Sequence, residues 1–195
     1  MAPPPVTTET RKIVVLGAAN VGKSSLIRKL LDDQFDEAYR PTISDRFEKT
    51  LHWSGKDYPC IIYDTGGQDE FSPIKPEHAV GIHGYVLAYA ISSQKSFDAV
   101  SIIYDKIVHF CGVPMPTVIV GTKSDLFMSR QVSEVDGKNL AQEKESAWIE
   151  VSARDGSYES IANVFKLCIE EYEIRNHPAS PPQSPLEKDR NCVLM

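Results

Sequence analysis

Apolar positions along this chain fall into short runs separated by segments of helical period. The first run, Ile13-Val14-Val15-Leu16, passes through a turn into Ser25-Leu26-Ile27-Arg28-Lys29-Leu30-Leu31, so the start reads as strand, loop, helix. Phe47 to Trp53 and Tyr58 to Tyr63 follow as two strands joined by Ser54-Gly55-Lys56-Asp57, a loop of hairpin composition that predicts antiparallel pairing. Three more short runs, 84–91, 117–120 and 148–151, are each separated from the next by enough chain for a crossover helix. In the last helix Ile161, Val164, Phe165, Cys168 and Tyr172 form one apolar stripe. This order predicts an α/β fold: an open, doubly wound, mostly parallel six-stranded sheet with one antiparallel strand, helices on both faces, and a ligand at the carboxyl ends of the strands.

Composition narrows the setting. Residues 1–10 include three consecutive prolines and few apolar positions, and the chain from Asn176 is again rich in proline and serine; both are expected to be disordered, flanking one domain over 11–175. With 21 basic and 27 acidic residues the net charge is −6, which argues against a nucleic-acid surface. Cys60, Cys111, Cys168 and Cys192 form neither a CxxC pair nor a disulfide framework, and no apolar signal segment opens the chain, so a reducing cytosolic setting is expected. No apolar run approaches the ~18–20 residues that span a bilayer.

Three stretches carry chemistry. Gly17-Ala18-Ala19-Asn20-Val21-Gly22-Lys23-Ser24 is a phosphate loop: its backbone N–H groups converge on one centre, the helix N-terminus adds partial positive charge, Lys23 reaches the outer phosphates and the Ser24 hydroxyl ligates Mg²⁺. The bland alternative is a plain strand-to-helix turn. Asp64-Thr65-Gly66-Gly67-Gln68 puts a carboxylate at a strand tip facing that loop, a partner for Mg²⁺, and Gln68 where it can orient an attacking water. Thr122-Lys123-Ser124-Asp125 sits at another strand tip, where the Asp125 carboxylate suits the N1–H and N2 amino donors of guanine and rejects adenine. Ser152-Ala153-Arg154 can offer a backbone N–H to the base oxygen. The rival that Asp125 disfavours is an ATP-using phosphate-loop enzyme.

In order and spacing these motifs, with Thr42 between the first two, resemble the Ras superfamily of small GTPases over about Arg11 to Tyr172. The resemblance implies a P-loop NTPase fold of the small G protein type and a GTP- and Mg²⁺-dependent switch that hydrolyses GTP. It places Gly17, Ala19, Asn20, Val21, Gly22, Lys23, Ser24 and Ser25 around the phosphates, with Ser24, Thr42 and Asp64 at Mg²⁺. It further implies that Phe35 and the Lys123 stem sandwich the guanine, that Tyr39 lies over the phosphates, and that Gly67 senses the γ-phosphate beside Gln68. Thr122, Asp125, Ser152, Ala153 and Arg154 complete the base pocket. Within the superfamily, Asn20, Gln68-Asp69-Glu70-Phe71-Ser72 and 84–97 are similar to the Rheb branch. That likeness implies an effector in the target-of-rapamycin kinase complex, reached through the switch regions, and control by the tuberous sclerosis GTPase-activating complex. The alternatives are a Ras-proper switch with other effectors, or a module that holds GTP with negligible hydrolysis.

Departures from the family pattern carry their own expectations. Ala19 stands where most relatives have glycine, Gly66 replaces an alanine, Thr122 an asparagine and Arg154 a lysine. Slow turnover and a less tightly held guanine are expected. Cys192-Val193-Leu194-Met195 matches a C-a-a-X box whose methionine favours farnesyl, added by a prenyltransferase. With one lipid and no polybasic patch, a monomer associating reversibly with the cytoplasmic face of endomembranes, with a cytosolic pool, is expected.

Overall fold

Side chains along the first strand are buried on both faces, and their alternation divides the interior in two. In the computed structural model, which describes residues 9–36, 44–67 and 72–176, Ile13 and Val15 of β1 (Arg11–Gly17) face one layer while Val14 and Leu16 face the other. On the first face lie α1 (Lys23–Asp32), through Leu26, Ile27 and Leu30, and α4 (Tyr158–Asn176), through Ile161, Val164, Phe165 and Cys168. On the second lie α2 (Gln94–Cys111), through Val100, Ile103 and Ile107, and α3 (Glu134–Glu143), through Ala141. A fully buried aliphatic side chain of this kind is worth ~2 kcal/mol, so these two layers hold the sheet.

The remaining strands are β2 (Ser44–Trp53), β3 (Lys56–Thr65), β4 (Gly84–Ala90), β5 (Thr117–Thr122) and β6 (Ala147–Glu150). Their order in the sheet is β2-β3-β1-β4-β5-β6, antiparallel between β2 and β3 and parallel elsewhere, as the strand and helix pattern predicts. The hairpin differs in detail. Its turn is Ser54-Gly55 alone, both residues at positive φ, and Lys56 and Asp57 pair with Trp53 and His52 rather than looping out. A two-residue turn of this hand matches the twist of the strands, and the polar pair tolerates the ladder because it lies exposed.

Side chains close the helix ends. Ser93 accepts from the Ser96 N–H at the start of α2, Ser133 accepts from the Asp136 N–H at the start of α3, and Gly112 at φ 76° ends α2. The α4 stripe ends on Tyr172, whose ring lies 4.5 Å from the buried Arg11 guanidinium; Arg11 also donates to Glu173 at 2.8 Å, tying β1 to α4. Among the described residues no helix is long and apolar enough to cross a membrane. The parallel strands all end at one edge, at Gly17, Thr65, Ala90, Thr122 and Glu150, and the loops leaving that edge build the site.

Candidate nucleotide site

A cavity of about 360 Å³ opens at this edge, between the loop after β1 and the segments after β5 and β6. The loop after β1 turns into α1 through Gly22, whose φ of 98° is left-handed and which has no side chain to cap the helix. The first N–H groups of α1 therefore meet the cavity without a side-chain cap, the arrangement that receives an anion. Lys23 is buried and curls back so that its Nζ donates to Gly17 O (2.9 Å) and Ala18 O (2.8 Å). Burial lowers its pKa to about 8, against the pull of Asp64. A buried ammonium whose hydrogen bonds, among the described residues, go to neutral carbonyls is poised for phosphate oxygens.

Asp64 near the end of β3 forms the second corner. Its carboxyl is buried and Oδ1 has no hydrogen-bond partner among the described residues. Burial raises its pKa, opposed first by a hydrogen bond with Ser24, then by Lys23 and Arg28. Beside it Thr65 donates to Val15 O at 2.8 Å, fixing the strand tip. An orphaned carboxylate oxygen next to a serine hydroxyl fits a hard divalent cation. Mg²⁺ is an ion commonly held by one or two side chains plus substrate phosphates, and Ser24 and Asp64 supply such a pair. Gly67, two residues after β3, lies hard against the loop: a Cβ there would fall 2.6 Å from both Cα and Cβ of Ala19, so only glycine fits.

The far end is built from β5 and the turn after β6. Lys123 adopts φ 57° and leads into a 3₁₀ turn at Ser124–Ser129, which presents Asp125 to the cavity. Ser152 Oγ donates to Asp125 Oδ1 at 2.6 Å and accepts from the Asp155 N–H at 3.0 Å, so the carboxylate has a fixed orientation. Burial lowers the pKa of Lys123, against the pull of Asp125. Its chain lines the cavity, as do Phe35, 38% exposed, Ala153 and Arg154. Thr122, which lines the cavity, also has a task within the protein. Its hydroxyl lies against Val21 O and within 2.8 Å of Tyr89 O. Its single proton is therefore used within the protein, linking the phosphate loop to the sheet.

Of the residues singled out in the sequence, Ala19, Asn20, Gly22, Lys23, Ser24, Ser25, Phe35, Gly67, Thr122, Lys123, Asp125, Ala153 and Arg154 meet at one cavity. Gly17, Val21 and Ser152 stand behind its wall, acting through Lys23, Thr122 and Asp125. Tyr39, Thr42, Gln68 and Cys192 lie outside the described residues. The sequence did not point to Arg28, Asp36 and Leu126, which also line the cavity, nor to the Ser152 hydroxyl as the group that orients Asp125. The one available signal for Arg28 is its place four residues after Ser24 on α1.

Comparison with known proteins agrees with this fold. The family model described as "Ras family" matches residues 12–174. The chain is 45% identical over 187 residues to the GTP-binding protein rhb1 of Schizosaccharomyces pombe, covering 95% of this chain and 97% of that one. It is 39% identical over 193 residues to the small monomeric GTPase RhbA of Aspergillus fumigatus, covering 98% and 100%. It is also 38% identical over 178 residues to the GTP-binding protein Rheb of Mus musculus, covering 91% and 96%.

Proposed function

Because the chain belongs to the Ras family, we propose that its cavity holds the guanine base against Asp125 and the phosphates in the 17–24 loop. It is a Rheb-like small GTPase, a switch that binds GTP and GDP with Mg²⁺ and hydrolyses GTP. The observation that carries the residue assignment is the Asp125 carboxylate, held by Ser152 at 2.6 Å at one end of a cavity whose other end is the uncapped start of α1. In this reading Lys23 leaves Gly17 O and Ala18 O for the outer phosphates, and the N–H groups from Ala19 to Ser25 cradle them. Ser24, Thr42 and Asp64 would hold Mg²⁺, which when bound neutralises charge on the phosphate oxygens. Gln68 orients the attacking water, and Gly67 presents its N–H to the terminal phosphate. Phe35 and the Lys123 stem flank the base, and Tyr39 covers the phosphates.

The finer identity rests on the Rheb likeness and, for the lipid, on the Cys192-Val193-Leu194-Met195 box. Effector binding by the target-of-rapamycin kinase complex, deactivation by the tuberous sclerosis complex, and prenylation of Cys192 for reversible attachment to endomembranes belong to this proposal.

Single-turnover GTP hydrolysis tests the catalytic part. Ala19 lies so close to Gly67 that a side chain added at 67 would strike its Cα and Cβ, and Gly67 is the residue before Gln68. Removing one methyl that crowds this approach as the segment moves is worth ~1 kcal/mol, or about fivefold in rate. Ala19→Gly is therefore expected to hydrolyse GTP about fivefold faster than the parent. A flat or lower rate would place the limit elsewhere than at this methyl.

A further inference from the structure

The turn that presents Asp125, Ser124–Ser129, contains no buried residue, and Phe127 and Met128 within it are 66% and 87% exposed. Its place against the segment after β6 therefore depends on polar ties rather than on packing. One tie is the Ser152 hydroxyl on Asp125, and another, from the Ser124 N–H to Val151 O, is long at 3.3 Å. The exit of the turn is joined to the end of β4, where the Gln131 and Val132 N–H groups donate to Ile91 O at 2.8 and 3.0 Å. Arg130, at that same exit, reaches β6. Its Nη1 and Nη2 donate to Oε1 and Oε2 of Glu150, each at 2.8 Å, and Nη1 also donates to Val132 O at 3.0 Å. Glu150 is the last residue of β6 and stands two positions before Ser152. The two halves of the base end are thus joined twice, by Ser152 to Asp125 and by Arg130 to Glu150.

We propose that Arg130 and Glu150 are positioning residues for base discrimination, a clamp that holds the Asp125 carboxylate in the plane of guanine so that it accepts from both donors at once. The inference rests on the reading of Asp125 as the base reader. Neither member of the pair lines the cavity, so both act through Asp125 and Ser152. The guanidinium fork fixes direction as well as distance, and with side chains 26% and 10% exposed the pair is only weakly screened by salt. Glu150 is also held from behind. Its stem packs on Gly121, where a Cβ would fall 2.8 Å from Glu150 Cγ, so the carboxylate cannot follow a turn that shifts. A carboxylate meeting two donors must share their plane, whereas a single donor is satisfied over a wide range of tilt. Loss of the clamp therefore costs a base with two donors more than a base with one.

The experiment measures, on the full chain at fixed Mg²⁺, the ratio of GDP affinity to inosine diphosphate affinity, since inosine keeps N1–H and lacks the 2-amino group. Arg130→Gln and Glu150→Gln are each expected to lower that ratio about fivefold, and the double variant lowers it no further than the lower of the two. A pair that only stabilised the fold would weaken both nucleotides alike and leave the ratio at the parent's value, a result that overturns the proposal. An additive double variant overturns it too. Should Arg130→Gln fail to fold, Arg130→Lys carries the same test, because it keeps the charge without the fork: a fall of about twofold is expected, and an unchanged ratio counts against the clamp. Asp125→Ala separates this from the underlying reading. If that variant keeps the parent's ratio, Asp125 is not the base reader and both fall; if it abolishes the preference for GDP while Arg130→Gln retains it, only the role of the pair falls.

Discussion

Asp125→Asn is expected to move the preference of the site from guanine to xanthine nucleotides. Guanine offers two donors, N1–H and the N2 amino group, and a carboxylate is acceptor-only, so both are satisfied by Asp125. Ser152 sharpens the outcome, because its hydroxyl donates to Oδ1 at 2.6 Å. An asparagine placed there keeps its carbonyl toward Ser152, which leaves its NH₂ facing the base. Against guanine that NH₂ meets a donor, whereas xanthine presents an oxygen at the 2-position that accepts from it, and the carbonyl still accepts from N1–H. Each buried hydrogen bond gained or lost is worth ~1–3 kcal/mol, so the ratio of GDP to xanthosine diphosphate affinity should change by at least about tenfold. Titrating parent and variant with both nucleotides in the same Mg²⁺ buffer checks this. A folded variant that still prefers GDP would remove Asp125 as the base reader.

Ser24→Asn should lower the affinity for GTP relative to GDP by about tenfold, the worth of one lost ligand to an ion that would neutralise charge on the phosphates. The Ser24 hydroxyl is bonded to the otherwise orphaned Asp64 carboxylate at the start of α1. The bulkier amide displaces the small oxygen that, with Asp64, makes this corner fit Mg²⁺. GDP loses less because the ion contributes less to the diphosphate state. Competition between GTP and GDP at millimolar Mg²⁺ reads the ratio directly, and an unchanged ratio would separate Ser24 from the metal.

Much of this architecture is legible in the sequence because it is periodic or local. The α4 stripe from Ile161 to Cys168 is buried as its spacing predicts, and the run 13–16 splits its side chains between two faces as a central strand must. The phosphate loop reads off directly because eight consecutive residues build it. What could not be read is what the sheet brings together from afar. Ser152 and Asp125 are 27 positions apart and meet only because β5 and β6 are parallel neighbours. Ala19 and Gly67 touch because β1 pairs with β3. Thr122, a hydroxyl where family likeness puts an amide, read as a weaker base contact. In the fold it joins the phosphate loop to β4 through Val21 O and Tyr89 O. Arg28 does not stand out in the sequence, since nothing there shows that its helix face borders a cavity.

Competition of GDP against ADP for the purified protein at fixed Mg²⁺ tests the guanine site most directly. The part-buried Asp125 carboxylate, once covered by a base and left facing adenine, which lacks the paired donors, is expected to favour GDP by about 10⁴-fold. Comparable displacement by the two nucleotides would contradict a guanine-specific switch and return the chain to the ATP-using enzymes.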